Sequence, residues 1–206
     1  MSEFECFHGT SLQAAKKILK EMRFKPSENE DALRMGRGIY FFAKESELSY
    51  AQQCAVAFCK TKFRKASSGI DSYAVLRCIL SCESEEILDL FVPSVLEHFH
   101  VMRYAEYDRL CKAQPGYAIS DAGELDTIVL NKLRKLQRIA VVRAPQYFYP
   151  LTNEETIKVA GKNVHRKTYL PNVLMICADP KFVEIKNIEV VDGGILRNDR
   201  YSDTVC

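Results

Sequence analysis

Two short stretches carry the residue types best suited to chemistry, Phe7-His8-Gly9-Thr10 and Gly36-Arg37-Gly38-Ile39-Tyr40-Phe41-Phe42. The histidine offers a ring nitrogen that titrates near neutrality. The glycine lets backbone N–H and C=O groups approach a ligand closely, and the tyrosine adds a flat aromatic face. Together they suit a flat, cationic ring attached to a ribose. Taken singly, each stretch reads as well as a hydrophobic strand with a buried histidine or tyrosine. Their order, their spacing and the helix expected after each one favour a site.

The elements that must position these residues follow from periodicity. Phe4 to His8 reads as a short strand, and Thr10-x-x-Gln13 has the form of a capping box. Leu12, Ala15, Ile18, Leu19 and Met22 then give one apolar helical stripe. Residues 25–34 are a polar loop, and Gly36 to Phe42 is a second strand. A helix over about 46–59 follows, with Leu48, Ala51, Ala55 and Phe58 on one face. Ser72 to Leu80 is nearly all apolar, as expected of a strand covered on both faces. One or two helices span 93–112, and Asp121-x-x-Glu124 opens another that runs through Leu136. Ile139–Val142 and Gln146–Tyr149 read as strands broken by Pro145, and Asn172–Cys177 and Phe182–Val191 close the set. Strands and helices mix without regular βαβ alternation, so the expected class is α+β. Gly36-x-Gly38 lacks a third glycine and precedes a strand, which argues against a Rossmann fingerprint. We expect one domain over 1–194 and a loose tail over 195–206.

The bulk numbers name no partner. The chain has 206 residues, a net charge of +2, 47% hydrophobic and 27% charged residues, ordinary values for a soluble globular domain. Its basic clusters, Lys60 to Lys65, Lys132 to Arg138 and Lys162 to Lys167, read as solvated faces. None of the eight cysteines forms a Cys-x-x-Cys pair, and no histidine falls at zinc-ligand spacing. Reduced, buried thiols are therefore expected. With an acidic start, Met1-Ser2-Glu3-Phe4-Glu5, and no apolar run near the ~20 residues that span a bilayer, the expected location is the cytoplasm, without a membrane partner.

These residues resemble the poly(ADP-ribose) polymerase-like, or diphtheria-toxin-type, ADP-ribosyltransferases. The resemblance rests on Phe7-His8-Gly9-Thr10, the helix after it, Gly36-Arg37-Gly38-Ile39-Tyr40-Phe41, a helix carrying Tyr50 and the strand Tyr73–Cys78. Asn172 to Pro180 fits more loosely. It implies a pair of small, mostly antiparallel sheets forming a cleft for NAD+, which is a co-substrate, with no metal. His8, Tyr40 and Asn172 are then the expected catalytic residues, and His8, Gly9, Thr10, Tyr40, Ser49 and Tyr50 the expected NAD+ contacts. In that scheme His8 bonds a ribose hydroxyl, the Gly9 backbone grips the nicotinamide carboxamide, and Tyr40 and Tyr50 cover the two ring faces. Ser46 or Ser49 adds a hydroxyl, while Arg37 reads as a solvated side chain.

The chain departs from the family at its acid. The glutamate expected on the last-but-one strand falls on Leu174, counting back from Asp179-Pro180, and Asn172 lies two residues earlier on the same side. Asparagine can bond a hydroxyl but cannot act as a general base. A second register, over Gln137–Val142, yields no carboxylate either. The resemblance implies mono-ADP-ribosylation of a macromolecular acceptor, protein or RNA/DNA, by a stand-alone microbial toxin or antiphage effector, with an antitoxin or chaperone as a further partner. A catalytically silent module that binds NAD+, nucleic acid or protein, and an NAD+ glycohydrolase, stay open beside it.

Overall fold

The computed structural model describes residues 1–26, 35–44, 50–65, 71–113, 122–146, 152–159, 162–169 and 173–196. Its strands are β1 (Ser2–Ser11), β2 (Ile39–Lys44), β3 (Ser72–Cys82), β4 (Ile87–Asp89), β5 (Val141–Gln146), β6 (Thr152–Val159), β7 (Lys162–Tyr169), β8 (Val173–Ala178) and β9 (Glu184–Ile195). Its helices are α1 (Leu12–Glu21), α2 (Ala51–Lys65), α3 (Pro93–Ala113) and α4 (Ala122–Leu136). Seven strands share one sheet in the order β4-β5-β8-β2-β1-β3-β9, and β6 and β7 form a separate two-stranded ribbon. Every neighbour in the large sheet is antiparallel except β4 with β5. The class is mixed α and β, in line with α+β. In place of the expected pair of small sheets there is one seven-stranded sheet beside the separate β6–β7 ribbon, because β2 bonds to β1 on one side and to β8 on the other.

Strand alternation sorts the core into layers. Cys6, Phe41, Ala43, Leu76, Cys78, Leu80, Ile176 and Ala178 point to one face, where α1 contributes Ala15 and the following turn contributes Phe24. Phe7, Phe42, Tyr73 and Val75 point to the other, under Ala51, Cys54, Ala55 and Cys59 of α2. On that same second face Val142, Ala144 and Cys177 pack under Phe99 of α3 and Leu125, Val129 and Leu130 of α4. β3 thus buries both faces, as its near-continuous apolar run requires. Phe24 and Phe41 lie edge to face with centroids 5.2 Å apart; burial of each is worth roughly 2–3 kcal/mol.

Several local expectations shift. α1 is capped by Ser11, whose Oγ accepts from the Ala14 N–H at 3.2 Å, so the cap lies one residue beyond Thr10. β1 runs on through Thr10 because its pairing with β3 extends to Ser11 opposite Tyr73. Met22 leaves the apolar stripe: it caps α1 in the left-handed region at φ 48° and is exposed. α3 is one continuous helix. β5 passes through Pro145, since pairing with β4 covers only Val141 to Arg143 and, among the described residues, no strand pairs with that side of Pro145. The β6–β7 ribbon forms over residues to which the sequence pattern assigns no element. β9 continues through Gly193 and Gly194 to Ile195.

Candidate functional site

β1 and β2 bring the two motifs side by side. Their ladder runs from Glu5 opposite Lys44 to Phe7 opposite Phe42 and stops there. One residue further on, the His8 Nδ1–H donates to the Tyr40 carbonyl oxygen at 2.8 Å. A carbonyl can only accept, so this bond places the proton on Nδ1 and leaves Nε2 with its lone pair. The imidazole rests against Phe24 at 5.2 Å and Phe41 at 5.6 Å between centroids. Burial lowers its pKa, the Tyr40 carbonyl opposes that shift, and the Lys62 cation on α2 adds to it. His8 is therefore held neutral, a hydrogen-bond acceptor through Nε2.

Tyr40 faces the other way. His8 shares a sheet face with Phe41, so Tyr40, one residue before Phe41, projects from the opposite face. Its ring packs with Met35 and Cys177. Its hydroxyl donates to the Gly36 carbonyl at 2.6 Å and accepts from the Met35 N–H at 3.2 Å. Burial first, and the neighbouring Cys177 second, push its pKa well above the ordinary phenol value. The tyrosine is locked as a neutral phenol. The two side chains expected to clasp one ligand thus meet through the Tyr40 backbone, with their rings on opposite faces. The register explains this: Phe7 opposite Phe42 commits every later pair of the two strands.

Gly9 is spaced for a helix. A Cβ there would lie 2.6 Å from the Ala55 carbonyl oxygen and 2.6 Å from the Cys59 sulfur. Its missing side chain lets α2 seat directly on β1, a reason for glycine that stands apart from gripping a ligand. Thr10 is half-buried, and the Cys59 thiol donates weakly to its carbonyl at 3.9 Å. Tyr50 stands immediately before α2 and accepts the first helical bond, from the Cys54 N–H at 2.8 Å. It is 40% exposed, enough for its ring to contact a ligand. Asn172, Ser46 and Ser49 lie outside the described residues.

Beside Tyr50, the first turn of α2 roofs a pocket of about 210 Å³ lined by Glu5, Phe7, Lys44, Gln52, Gln53 and Arg77. The Glu5 carboxylate accepts from Arg77 Nε at 2.7 Å and lies 3.3 Å from the Lys44 ammonium. Partial burial works to raise its pKa, but the Arg77 and Lys44 cations win and hold it below the usual carboxylate value. Arg77 is bound in turn by Glu189 at 2.7 Å.

Sequence reasoning passed over Arg134 and Asn131, both on α4. Arg134 reads as one member of a solvated basic cluster, yet its guanidinium reaches the Arg37 carbonyl, the Cys177 carbonyl at 3.3 Å and the Cys177 sulfur at 3.4 Å. The Asn131 Oδ1 accepts from the Arg37 N–H at 3.5 Å. Arg37 itself points its side chain to solvent, as expected. A faint signal existed in the sequence, since 131 and 134 stand three apart on one helix face; nothing there says that the face meets the glycine loop. Comparison with protein-family models, with curated proteins and with solved structures finds no match to this chain.

Proposed function

We propose that the chain transfers ADP-ribose from NAD+ to a macromolecular acceptor and releases nicotinamide. One observation carries this reading: the His8 Nδ1–H bond to the Tyr40 carbonyl at the point where the β1–β2 ladder ends. That bond joins the two motifs of the resemblance and presents a neutral Nε2, suited to accept from a ribose hydroxyl. The exposed Tyr50 ring offers a face for the nicotinamide. Bond cleavage sends the electron pair of the ribose–nitrogen bond onto nicotinamide, which departs neutral. The ribose C1′ passes through an oxocarbenium-like state, the acceptor forms the new bond to C1′, and its proton goes to solvent or to a group on the acceptor. Positioning and electrostatics carry much of such a step.

The acceptor class is a protein side chain or a base in RNA or DNA. Seven described cysteines are free thiols, which suits the reducing cytoplasm, where we place the activity. No helix among the described residues is long and apolar enough to cross a membrane. A microbial toxin or antiphage effector, held by an antitoxin or chaperone, is the role in which such a transferase fits best.

A second reading is favoured by a specific observation. The rings of His8 and Tyr40 lie on opposite faces and Gly9 sits under α2, so these groups do not converge on one ligand, which favours a silent module that binds without catalysis. Labelled NAD+ incubated with the protein and fractionated lysate separates the two. The transferase reading expects label on a macromolecule, sensitive to protease or to nuclease, and its loss by about 10²-fold or more in His8→Ala. Bound NAD+ with no nicotinamide released in any fraction establishes the silent module; release without attached label establishes a glycohydrolase.

A further inference from the structure

We infer that Arg134 and Asn131 of α4 are positioning residues that set the Gly36–Tyr40 segment, and through it the Tyr40 carbonyl that orients His8. The inference rests on the proposed function for the last step only. Gly36 adopts φ +76°, a conformation that glycine takes at little cost, and a Cβ there would press within 2.9 Å of the Asn131 Oδ1. The α4 side chains then grip both sides of Arg37: Asn131 accepts from its N–H, and Arg134 donates to its carbonyl. The same guanidinium reaches across to the Cys177 carbonyl and sulfur on β8, the strand that pairs Cys177 with Tyr40. The Cys177 thiol points back to the Gly36 carbonyl at 3.7 Å, the oxygen that also receives the Tyr40 hydroxyl. Tyr40 is thus the inner end of a closed ring of contacts whose outer end is on α4. A helix far away in sequence decides where the phenol stands.

The ring is tight on the other side as well. A Cβ on Gly38 would meet the Cys177 sulfur at 2.5 Å and the Ala178 carbonyl oxygen at 2.8 Å, so the loop has no slack toward β8. Loss of the Arg134 guanidinium therefore frees Arg37 and uncovers Cys177 together. Cys177 is fully buried in the intact protein. That makes its alkylation a readout independent of NAD+.

The test uses the full chain, with Arg134→Met and Asn131→Ala as disrupting variants and Arg134→Lys and Asn131→Asp as conservative ones. Iodoacetamide labelling is mapped by peptide mass spectrometry, with the buried Cys78 as internal control for global unfolding. We expect Cys177 alkylation to rise about tenfold in the disrupting variants while Cys78 stays protected, and KM for NAD+ in nicotinamide release to rise about tenfold with kcat changed by less than about threefold. Both effects shrink in the conservative variants. Unchanged Cys177 labelling overturns the hold of α4 on the Gly36–Tyr40 segment. Exposed Cys177 with an unchanged KM reduces Arg134 and Asn131 to fold stability and overturns the positioning role. If Arg134→Met labels Cys78 as well, the milder Asn131→Ala decides between the same two results. A wild-type protein that neither binds nor cleaves NAD+ overturns the functional reading, and with it any role in catalysis, while the alkylation arm still tells whether α4 holds the segment.

Discussion

The two helices that cover the same face of the sheet are attached in different ways. α2 lies on β1 and β3 through small side chains, Ala51, Cys54, Ala55 and Cys59, pressed onto Phe7, Val75 and the bare backbone of Gly9. α4 packs Leu125, Val129 and Leu130 onto the sheet and adds polar grips to that contact. Arg134 and Asn131 bond the glycine loop, Lys132 pairs with the buried Glu106 of α3, and Asp126 pairs with Arg103 of α3 at 2.7 Å. Close packing is broken by added volume, whereas a hydrogen-bonded attachment is broken as well by the loss of a donor or acceptor. The strand that carries His8 is thus seated by steric fit on its far face, and the segment that carries Tyr40 is fixed by added polar contacts.

The largest break in this contrast is expected at Gly9. Gly9→Ala should destabilise the fold by about 3 kcal/mol, near the top of the overpacking range, because its methyl meets both Ala55 and Cys59. Urea unfolding measures the cost, and the double change Gly9→Ala with Cys59→Ala should recover part of it. Strict additivity of the two changes would show that steric contact does not hold α2.

A middle-sized effect is expected on the polar side. Glu106 is buried and accepts from Arg109 at 2.7 Å and from Lys132. The Arg109 hydrogen bond, against the opposing burial and with help from Lys132, holds its pKa at about 2. Its contribution to stability is fully present above the ordinary carboxylate value of 4.5 and is lost as pH falls toward about 2. Glu106→Ala should cost about 2 kcal/mol at neutral pH. It should also flatten that part of the decline in thermal midpoint on acidification; an unchanged acid profile would mean that the α3–α4 pair adds nothing.

His8 titrates with the same sign at milder pH. Burial lowers its pKa, so the unfolded chain takes up protons first and stability falls as pH drops below the ordinary histidine value of 6.5. The smallest effect lies at the cap of α1. Ser11→Ala removes the acceptor for the Ala14 N–H and should cost about 1 kcal/mol in the same urea assay. A cost that small would leave both helix attachments untouched, and a large one would tie α1 to the β1 end near His8.

Much of the local structure was legible. The apolar run Ile39 to Phe42, the continuous apolar run of β3 and the helical period of α4 each report their own element, because burial of one face or both is a short-range pattern. The β6–β7 ribbon was not legible: its residues are mostly polar, and they pair by backbone bonds that leave no hydrophobic period. Arg134 was not legible either. A guanidinium that reaches a carbonyl from 97 residues away looks, in sequence, the same as one that reaches only water.

Which residues of a given strand share a face came from the order of side chains alone, since the pleat repeats every second residue. Which face His8 holds in common with Phe41 rather than with Tyr40 came from the pairing of β1 with β2, a contact between segments more than thirty residues apart. A slip of one residue in that pairing would have turned imidazole and phenol to the same side. The hydrogen-bond register between strands decides this, and no local pattern encodes it.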